Sequence, residues 1–212
     1  MSARAAVRRF DGAILGVGTT SGTRLVVGRW ARSPFGAFAD VMVEDVAGRR
    51  LLMAPAHVAG FVATTYGFDD VWEGPVVARR EAAPAEGAAA ASRAITVVAG
   101  PLRLRAVVGP RTALGRLLRT VPRPLATSSS FTLVTDPVAR LLVGGVRTRG
   151  SAGGGRLETY GATDVHAVVA VEATWDGADL GSLADVDPPV RFGFGSTPRR
   201  PSLTTVTTTV RG

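Results

Sequence analysis

An acidic pair that follows a short aromatic segment is the first place in this sequence where chemistry could occur. Asp69 and Asp70 come directly after Tyr66-Gly67-Phe68. A carboxylate that faces a cavity beside aromatic rings loses hydration, and burial of this kind raises the pKa of a carboxyl group. Such a group can then donate and accept protons near neutral pH, which is the requirement for general acid–base catalysis.

A second candidate is a pair of arginines close to the C-terminus. The segment PPVRFGFGSTPRRP, residues 188–201, alternates phenylalanine with glycine and then places Arg199 and Arg200 between two prolines. A strand end followed by a turn is the ordinary structure for such a segment. The functional alternative is an anion clamp at the mouth of a cavity, because paired guanidinium groups suit carboxylate or phosphate.

Composition excludes several other kinds of chemistry. The 212 residues contain no cysteine, which excludes disulfides, thiolate zinc sites and iron–sulfur clusters, and no lysine, which excludes Schiff-base and P-loop chemistry. His57 and His166 lie far apart, and neither has a second ligand at the spacing of a zinc site. No G-x-S-x-G segment is present for a nucleophilic serine. We therefore expect no cofactor and no metal.

The charge of the chain comes from arginines and bears on its partners. The formal net charge is +8, and the arginines are spread over nearly every segment instead of forming a block. This distribution argues against nucleic acid as the partner. The first apolar stretch is too short for a secretion signal, and no run approaches the ~18 apolar residues that cross a bilayer. These features predict a cytoplasmic protein without a membrane span.

Short runs of Val, Thr and Leu, punctuated by Gly and Pro, predict a β-rich chain. Two segments have helical spacing instead, one beginning at Pro55 and ending near Gly67, the other running from Pro110 to Val121. Neither half shows a complete set of elements, so we predict a single domain over residues 1–212. The predicted strands are Gly12–Thr19, Thr23–Trp30, Ala37–Glu44, Arg50–Ala54, Asp70–Arg80, Ala94–Ala99, Leu102–Val108, Phe131–Thr135, Ala139–Arg147, Arg156–Ala162, Asp164–Thr174 and Leu203–Val210.

Two stretches resemble the acetoacetate decarboxylase-like superfamily. RSPFGAFADVMVE, Arg32 to Glu44, resembles the S-P-x-G-x-Y-x-E motif with which a strand of that family opens. The segment from Tyr66 to Asp70 resembles the family segment that ends in a lysine pair, and the order and distance of the two stretches also fit. The resemblance implies a β-rich α+β fold, a conical and mostly antiparallel barrel with two or three short helices. Its interior would form a closed apolar ligand cavity, with Asp40 near the family's active-site glutamate.

The sequence departs from this family at the reactive lysine. The family's lysine forms a Schiff base, whereas the corresponding stretch here is Asp69-Asp70-Val71, and a carboxylate cannot form that adduct. Imine-dependent decarboxylation is therefore excluded even if the fold is shared. The cavity can persist without that reaction. Its catalytic candidates are then Asp40, Asp69 and Asp70, and its ligand-binding candidates are Arg29, Phe38, Tyr66, Phe68, Arg199 and Arg200.

Three functions are compatible with these features. The leading hypothesis is a small-molecule-binding protein that keeps the family's cavity without its lysine. The second is a carboxylate-dependent lyase or isomerase acting on a small keto or hydroxy acid, because carboxylates replace the lysine pair. The third is a non-catalytic interaction protein that uses its arginine-rich surface. A homo-oligomer is compatible with all three.

Overall fold

The computed structural model describes residues 6–81, 93–128, 149–193 and 197–212. It is β-rich, with 57 % strand and three short helices, which confirms the predicted class. The predicted strands Phe131–Thr135 and Ala139–Arg147 lie outside the described residues. The helices are α1 (Ala56–Thr65), α2 (Ala113–Leu118) and α3 (Arg123–Ala126). The strands are β1 (Val7–Thr19), β2 (Arg24–Arg32), β3 (Phe38–Glu44), β4 (Arg50–Ala54), β5 (Asp70–Glu73), β6 (Val76–Glu81), β7 (Arg93–Ala99), β8 (Leu102–Arg111), β9 (Arg149–Ala152), β10 (Arg156–Trp175), β11 (Ala178–Asp179), β12 (Leu183–Ala184) and β13 (Ser202–Arg211).

The strands form one curled, mixed sheet with the shape of a half-barrel. Its main order is β5-β4-β3-β2-β1-β13-β10-β8-β7-β6, and among the described strands only the β4–β5 pair is parallel. The last strand, β13, lies between β1 and β10, so distant parts of the chain become neighbours. The curl brings β6 back toward β2, where Arg29 Nε donates to the carbonyl of Ala78 at 3.3 Å.

Side chains that alternate between the two faces of the sheet form two apolar clusters, one on each face. On one face, β1–β4 pack with β7, β8 and the second half of β10 through residues such as Leu15, Val27 and Leu104. On the opposite face, Phe10, Met42 and their neighbours pack under α1. Because successive side chains of a strand point to opposite faces, the same strands supply both clusters. The face covered by α1 is called the helix-covered face below.

Helix α1 begins directly after Pro55 and ends at Thr65, which confirms the predicted helix. Proline suits a helix start because it lacks the N–H that would be left without a partner there. The buried residues Val58, Ala59 and Val62 pack on the helix-covered face. Tyr66 has extended backbone angles, and this ends the helix.

Four predicted elements differ from the structure. Gly74-Pro75 divides the predicted strand Asp70–Arg80 into β5 and β6, because proline cannot donate to a strand neighbour. The two predicted strands between 156 and 174 are one strand with a register shift between Ala162 and Asp164. The helix predicted from Pro110 to Val121 is shorter in the structure, where α2 covers only Ala113–Leu118. It packs through buried Gly115, whereas Leu117 is 54 % exposed.

No helix in the described part of the chain has the length and apolar character needed to cross a membrane.

Candidate functional site

A small cavity lies between the helix-covered face and α1. Its volume is about 30 Å³, which is room for about two water molecules. Five aromatic side chains line it, together with the polar side chains of Asp40, Thr65, Glu158 and Thr208. The five aromatic residues are Phe10, Trp30, Phe38, Phe61 and Tyr66. A pocket of this composition combines apolar walls with a few convergent polar groups, which is typical of ligand sites.

Strand register brings the polar side chains of the cavity together. Thr208 on β13 lies opposite Phe10 on β1 and opposite Tyr160 on β10. Asp40 on β3 lies opposite Gly28 on β2, where the missing side chain leaves space for the indole of Trp30. The insertion of β13 between β1 and β10 thus places Glu158 and Asp40 on the same cavity, although they are far apart in sequence.

Asp40 is one of two buried carboxyl groups in the cavity. Asp40 is only 2 % exposed, and Trp30 Nε1 donates to its Oδ1 at 2.8 Å. Burial raises the pKa of Asp40 to about 7, and the hydrogen bond from Trp30 opposes part of that rise. Near neutral pH the protonated and ionised forms of this group are therefore both populated.

Glu158 is the second buried carboxyl group. It is fully buried, and the Tyr66 hydroxyl donates to its Oε1 at 2.5 Å. Burial raises the pKa of Glu158 to about 7, while hydrogen bonds from Tyr66 and Tyr160 oppose the rise. Burial, with the adjacent Glu158 carboxylate, also raises the pKa of both tyrosines well above 10. Both hydroxyls stay protonated and remain donors.

Two polar atoms of the lining have no hydrogen-bond partner among the described residues, Glu158 Oε2 and Thr208 Oγ1. Thr208 is 3 % exposed and Glu158 is fully buried, so bulk water does not satisfy either atom. Buried polar groups are nearly always paired in folded proteins, since an unpaired one costs about 1–3 kcal/mol. These two atoms identify the part of the cavity that suits a polar ligand.

Positive charge lies outside the cavity, against the ring of Phe61. The guanidinium carbons of Arg8 and Arg156 lie 5.4 and 5.0 Å from the centre of that ring. Arg156 Nη1 also donates to Thr65 Oγ1 at 2.9 Å. Among the described lining residues the ionisable groups are carboxyls and a phenol, with no arginine or histidine. Nor do the described residues hold a group of three or more His, Cys, Asp or Glu side chains suited to a metal ion.

Three of the residues predicted from sequence line this cavity: Asp40, Phe38 and Tyr66. The acidic pair does not. Asp69 is bound by Arg50, with Nη2 2.8 Å from Oδ1, and these hydrogen bonds lower the pKa of Asp69 to about 2. Asp70 pairs with Arg49 at 2.6 Å on the exposed edge of the sheet.

The other sequence candidates also lie away from the cavity. Phe68 contacts Phe192, with ring centres 5.6 Å apart, at the margin of the helix-covered cluster. Arg29 projects to the opposite face. Arg199 forms ion pairs with Asp185 and Asp187, and Arg200 is exposed. The two acids that precede Pro188-Pro189 therefore balance the charge of Arg199.

Glu158, Thr208 and Trp30 were not predicted from the sequence. The available signal was the alternation in RLETYG, which places Glu158 and Tyr160 on one face of a strand. Leu157 suggests the opposite face as the buried one, because apolar residues usually point inward. The structure buries Glu158 and leaves Leu157 only partly buried.

We expect Gly28→Ala to disrupt the Asp40–Trp30 hydrogen bond. A Cβ at this position would lie 2.5 Å from Asp40 Oδ1 and 2.6 Å from Trp30 Nε1. Overpacking with loss of this bond should lower the free energy of unfolding by about 2–4 kcal/mol. Denaturant titration measures this, and the Trp30 indole N–H resonance should shift.

The control is Gly60→Ala on α1, where no atom lies within 4 Å of the added Cβ. This variant should be more stable than the parent by about 0.5–1 kcal/mol, because alanine favours a helix over glycine. Equal effects of the two substitutions would contradict the assigned role of Gly28.

No family model, curated protein or solved structure matches this chain. The chemistry of the cavity therefore carries the functional conclusion.

Proposed function

We propose that this protein binds a small molecule in the cavity under α1, on a scaffold of the acetoacetate decarboxylase-like type. The observation that carries the proposal is the meeting of two buried carboxyl groups, Asp40 and Glu158, with an unpaired Thr208 hydroxyl inside an aromatic lining. The resemblance in residues 32–44 supports it as well, because that motif contributes both Phe38 and Asp40 to the lining.

Stability by itself does not account for these carboxyl groups. Replacing buried charged groups by apolar residues of similar volume is often neutral or stabilising, so a domain gains little from keeping two acids without a cationic partner. Groups with a strongly shifted pKa in a cavity are concentrated at functional sites. Recognition of a ligand supplies a reason for both acids and for the unpaired atoms beside them.

The size of the cavity limits the ligand. A volume of about 30 Å³ accepts a group of only a few heavy atoms without movement of the lining. Phe61 and Tyr66, on α1 and just after it, are partly exposed and are the side chains beside which a larger ligand would enter. Val62 and Thr65 of α1 also line the cavity, and the other walls are strand residues of the helix-covered face, which strand pairing holds in place.

The test uses three small probes of different charge, acetate, methanol and methylammonium, followed by NMR of ¹⁵N-labelled protein. At least one probe should shift the Trp30 indole N–H resonance in a saturable way. The indoles of Trp72 and Trp175 pack in the other cluster and serve as internal controls. Native mass spectrometry of freshly purified protein complements this test by detecting a retained molecule. Absence of any saturable shift at Trp30, with no retained molecule, would overturn the proposal.

A carboxylate-dependent lyase or isomerase acting on a small keto or hydroxy acid is the alternative function. The raised pKa values of Asp40 and Glu158, both about 7, favour it, since acid–base catalysts work best when their pKa is close to the ambient pH. In this alternative the reacting pair is Asp40 and Glu158, because arginines hold Asp69 and Asp70.

The experiment for this alternative is exchange of substrate C–H protons in D₂O, followed by proton NMR with pyruvate and lactate as probes. Exchange should fall about 100-fold or more in Asp40→Asn and Glu158→Gln. It should persist in Glu172→Gln, an exposed glutamate on the same strand as Glu158. Exchange no faster than in buffer, or equal loss in the control, would contradict an enzymatic role.

A further inference from the structure

The acidic groups line the cavity, whereas the neighbouring arginines lie outside it. Both carboxyl groups line it, whereas its described lining includes no arginine or histidine. Arg8 and Arg156 lie against the ring of Phe61, and Arg156 also donates to Thr65 Oγ1 at the margin of the cavity. The hydrogen bonds that the carboxyls receive come from neutral donors, an indole and phenol hydroxyls. Ionised, the two acids would therefore have no cation inside the cavity to balance them.

The aromatic walls suit a positive charge. Phe10 meets Trp30 edge to face at 5.8 Å and Phe38 edge to face at 6.4 Å, so the rings surround the space from different directions. The face of an aromatic ring carries negative electrostatic potential and attracts cations, most strongly for tryptophan. Phe61 already attracts cations in this way, because the guanidinium groups of Arg8 and Arg156 lie over its ring.

We propose that the ligand of this cavity is a small organic cation, a primary or methylated ammonium group enclosed by the aromatic rings. Its N–H groups donate to the two unpaired acceptors, Glu158 Oε2 and Thr208 Oγ1, and Asp40 supplies the second negative charge. The inference rests on the proposed small-molecule function and names the chemical class of its ligand. An ammonium group fits these walls better than a metal ion, because aromatic rings make up much of the lining and the described residues hold no group of three or more metal-ligating side chains.

Proton linkage follows from the same geometry. The charged or titratable groups that face the two acids are the hydroxyls of Tyr66 and Tyr160; His57 stands edge-on to Phe38 at 6.5 Å, and Arg156 contacts Thr65. A bound cation favours the ionised forms of both Asp40 and Glu158, so binding well below pH 7 releases about two protons. The affinity should therefore rise about 60-fold between pH 5.5 and pH 6.5 and level off above pH 8.

The experiment is a titration of the intact protein with methylammonium chloride at pH 6, 7 and 8, with sodium chloride added to constant ionic strength. The Trp30 indole resonance reports occupancy, and calorimetry in buffers of different ionisation enthalpy counts the released protons. We expect release of about two protons at pH 6. In Glu158→Gln the affinity should fall at least tenfold, and in Glu172→Gln it should be unchanged.

The outcomes separate this inference from the function on which it rests. If acetate or methanol shifts Trp30 and methylammonium does not, the ligand is not a cation, although the cavity still binds small molecules. If no probe shifts Trp30 and native mass spectrometry detects no retained molecule, both proposals fail. Identical shifts with sodium chloride alone, or affinity that falls as the pH rises, would also overturn the organic-cation assignment. A parallel titration with N-acetyl-lysine methylamide distinguishes a free amine from a lysine side chain as the source of the ammonium group.

Discussion

Between pH 5 and pH 8 the free energy of unfolding should fall by about 5 kcal/mol, or about 2.5 kcal/mol for each buried carboxyl group. Asp40 and Glu158 have a pKa of about 7 in the folded protein, against ordinary values of 3.8 and 4.5. The folded state therefore keeps protons that the unfolded chain has already released. Because unfolding releases protons in this window, raising the pH favours the unfolded state. Urea denaturation at constant ionic strength measures the slope.

Neutral variants of the two acids check the cause of this slope. Asp40→Asn and Glu158→Gln should each remove about half of it and should be more stable than the parent at pH 8. Glu172→Gln should leave the slope unchanged, since that side chain is 77 % exposed. The hydrogen bonds from Arg50 lower the pKa of Asp69, so its contribution is lost only as the pH falls below about 4, outside the window. Stability that rises from pH 5 to pH 8 would contradict the burial of these acids.

The second large effect concerns Glu44, the buried acid of an ion pair outside the cavity. Glu44 is fully buried, and its Oε1 lies 3.3 Å from Arg24 Nη2 and 2.9 Å from Arg191 Nε. The backbone N–H of Arg191 donates to Oε2 at 2.7 Å, which holds the segment after Pro188-Pro189 against β3. Glu44→Gln leaves Arg24 buried without its counter-charge. We expect a loss of about 3–5 kcal/mol in the free energy of unfolding, measured by denaturant titration.

Two further variants isolate the charge effect. Arg24→Met with Glu44→Leu removes both buried charges, and this double variant should recover part of the loss, because apolar residues commonly replace a buried ion pair without cost. The recovery is partial because the Arg191 N–H loses its acceptor, Glu44 Oε2. Asp70→Asn breaks an exposed pair, the one with Arg49, and should cost less than about 1 kcal/mol. If Glu44→Gln costs no more than Asp70→Asn, the buried pair does not stabilise the fold as described.

Local pattern was sufficient to predict α1, β2, β3, β4 and the part of β1 that follows Gly12, although β1 begins five residues earlier, at Val7. Pro55 and Gly67 bracket the helix, and alternation with glycine turns gives β1–β4, because these preferences act over a few residues. Local pattern predicted two strands where β10 is one long strand, because a register shift after Ala162 lets the strand continue. It also predicted an apolar stripe of leucines as the packed face of α2, whereas the buried residue of that helix is Gly115. Both failures arise from contacts with other strands.

The sequence by itself determined the β-rich class, the absence of cysteine and lysine chemistry, and Phe38, Asp40 and Tyr66 as site candidates. Only the tertiary structure decided which acids share a cavity. The β4–β5 pairing gives Asp69 an arginine partner, and the insertion of β13 brings Glu158 toward Asp40. Periodicity determines which face of a strand is buried, but strand order depends on pairing between distant segments. Burial, and with it the pKa of each acid, follows from that order.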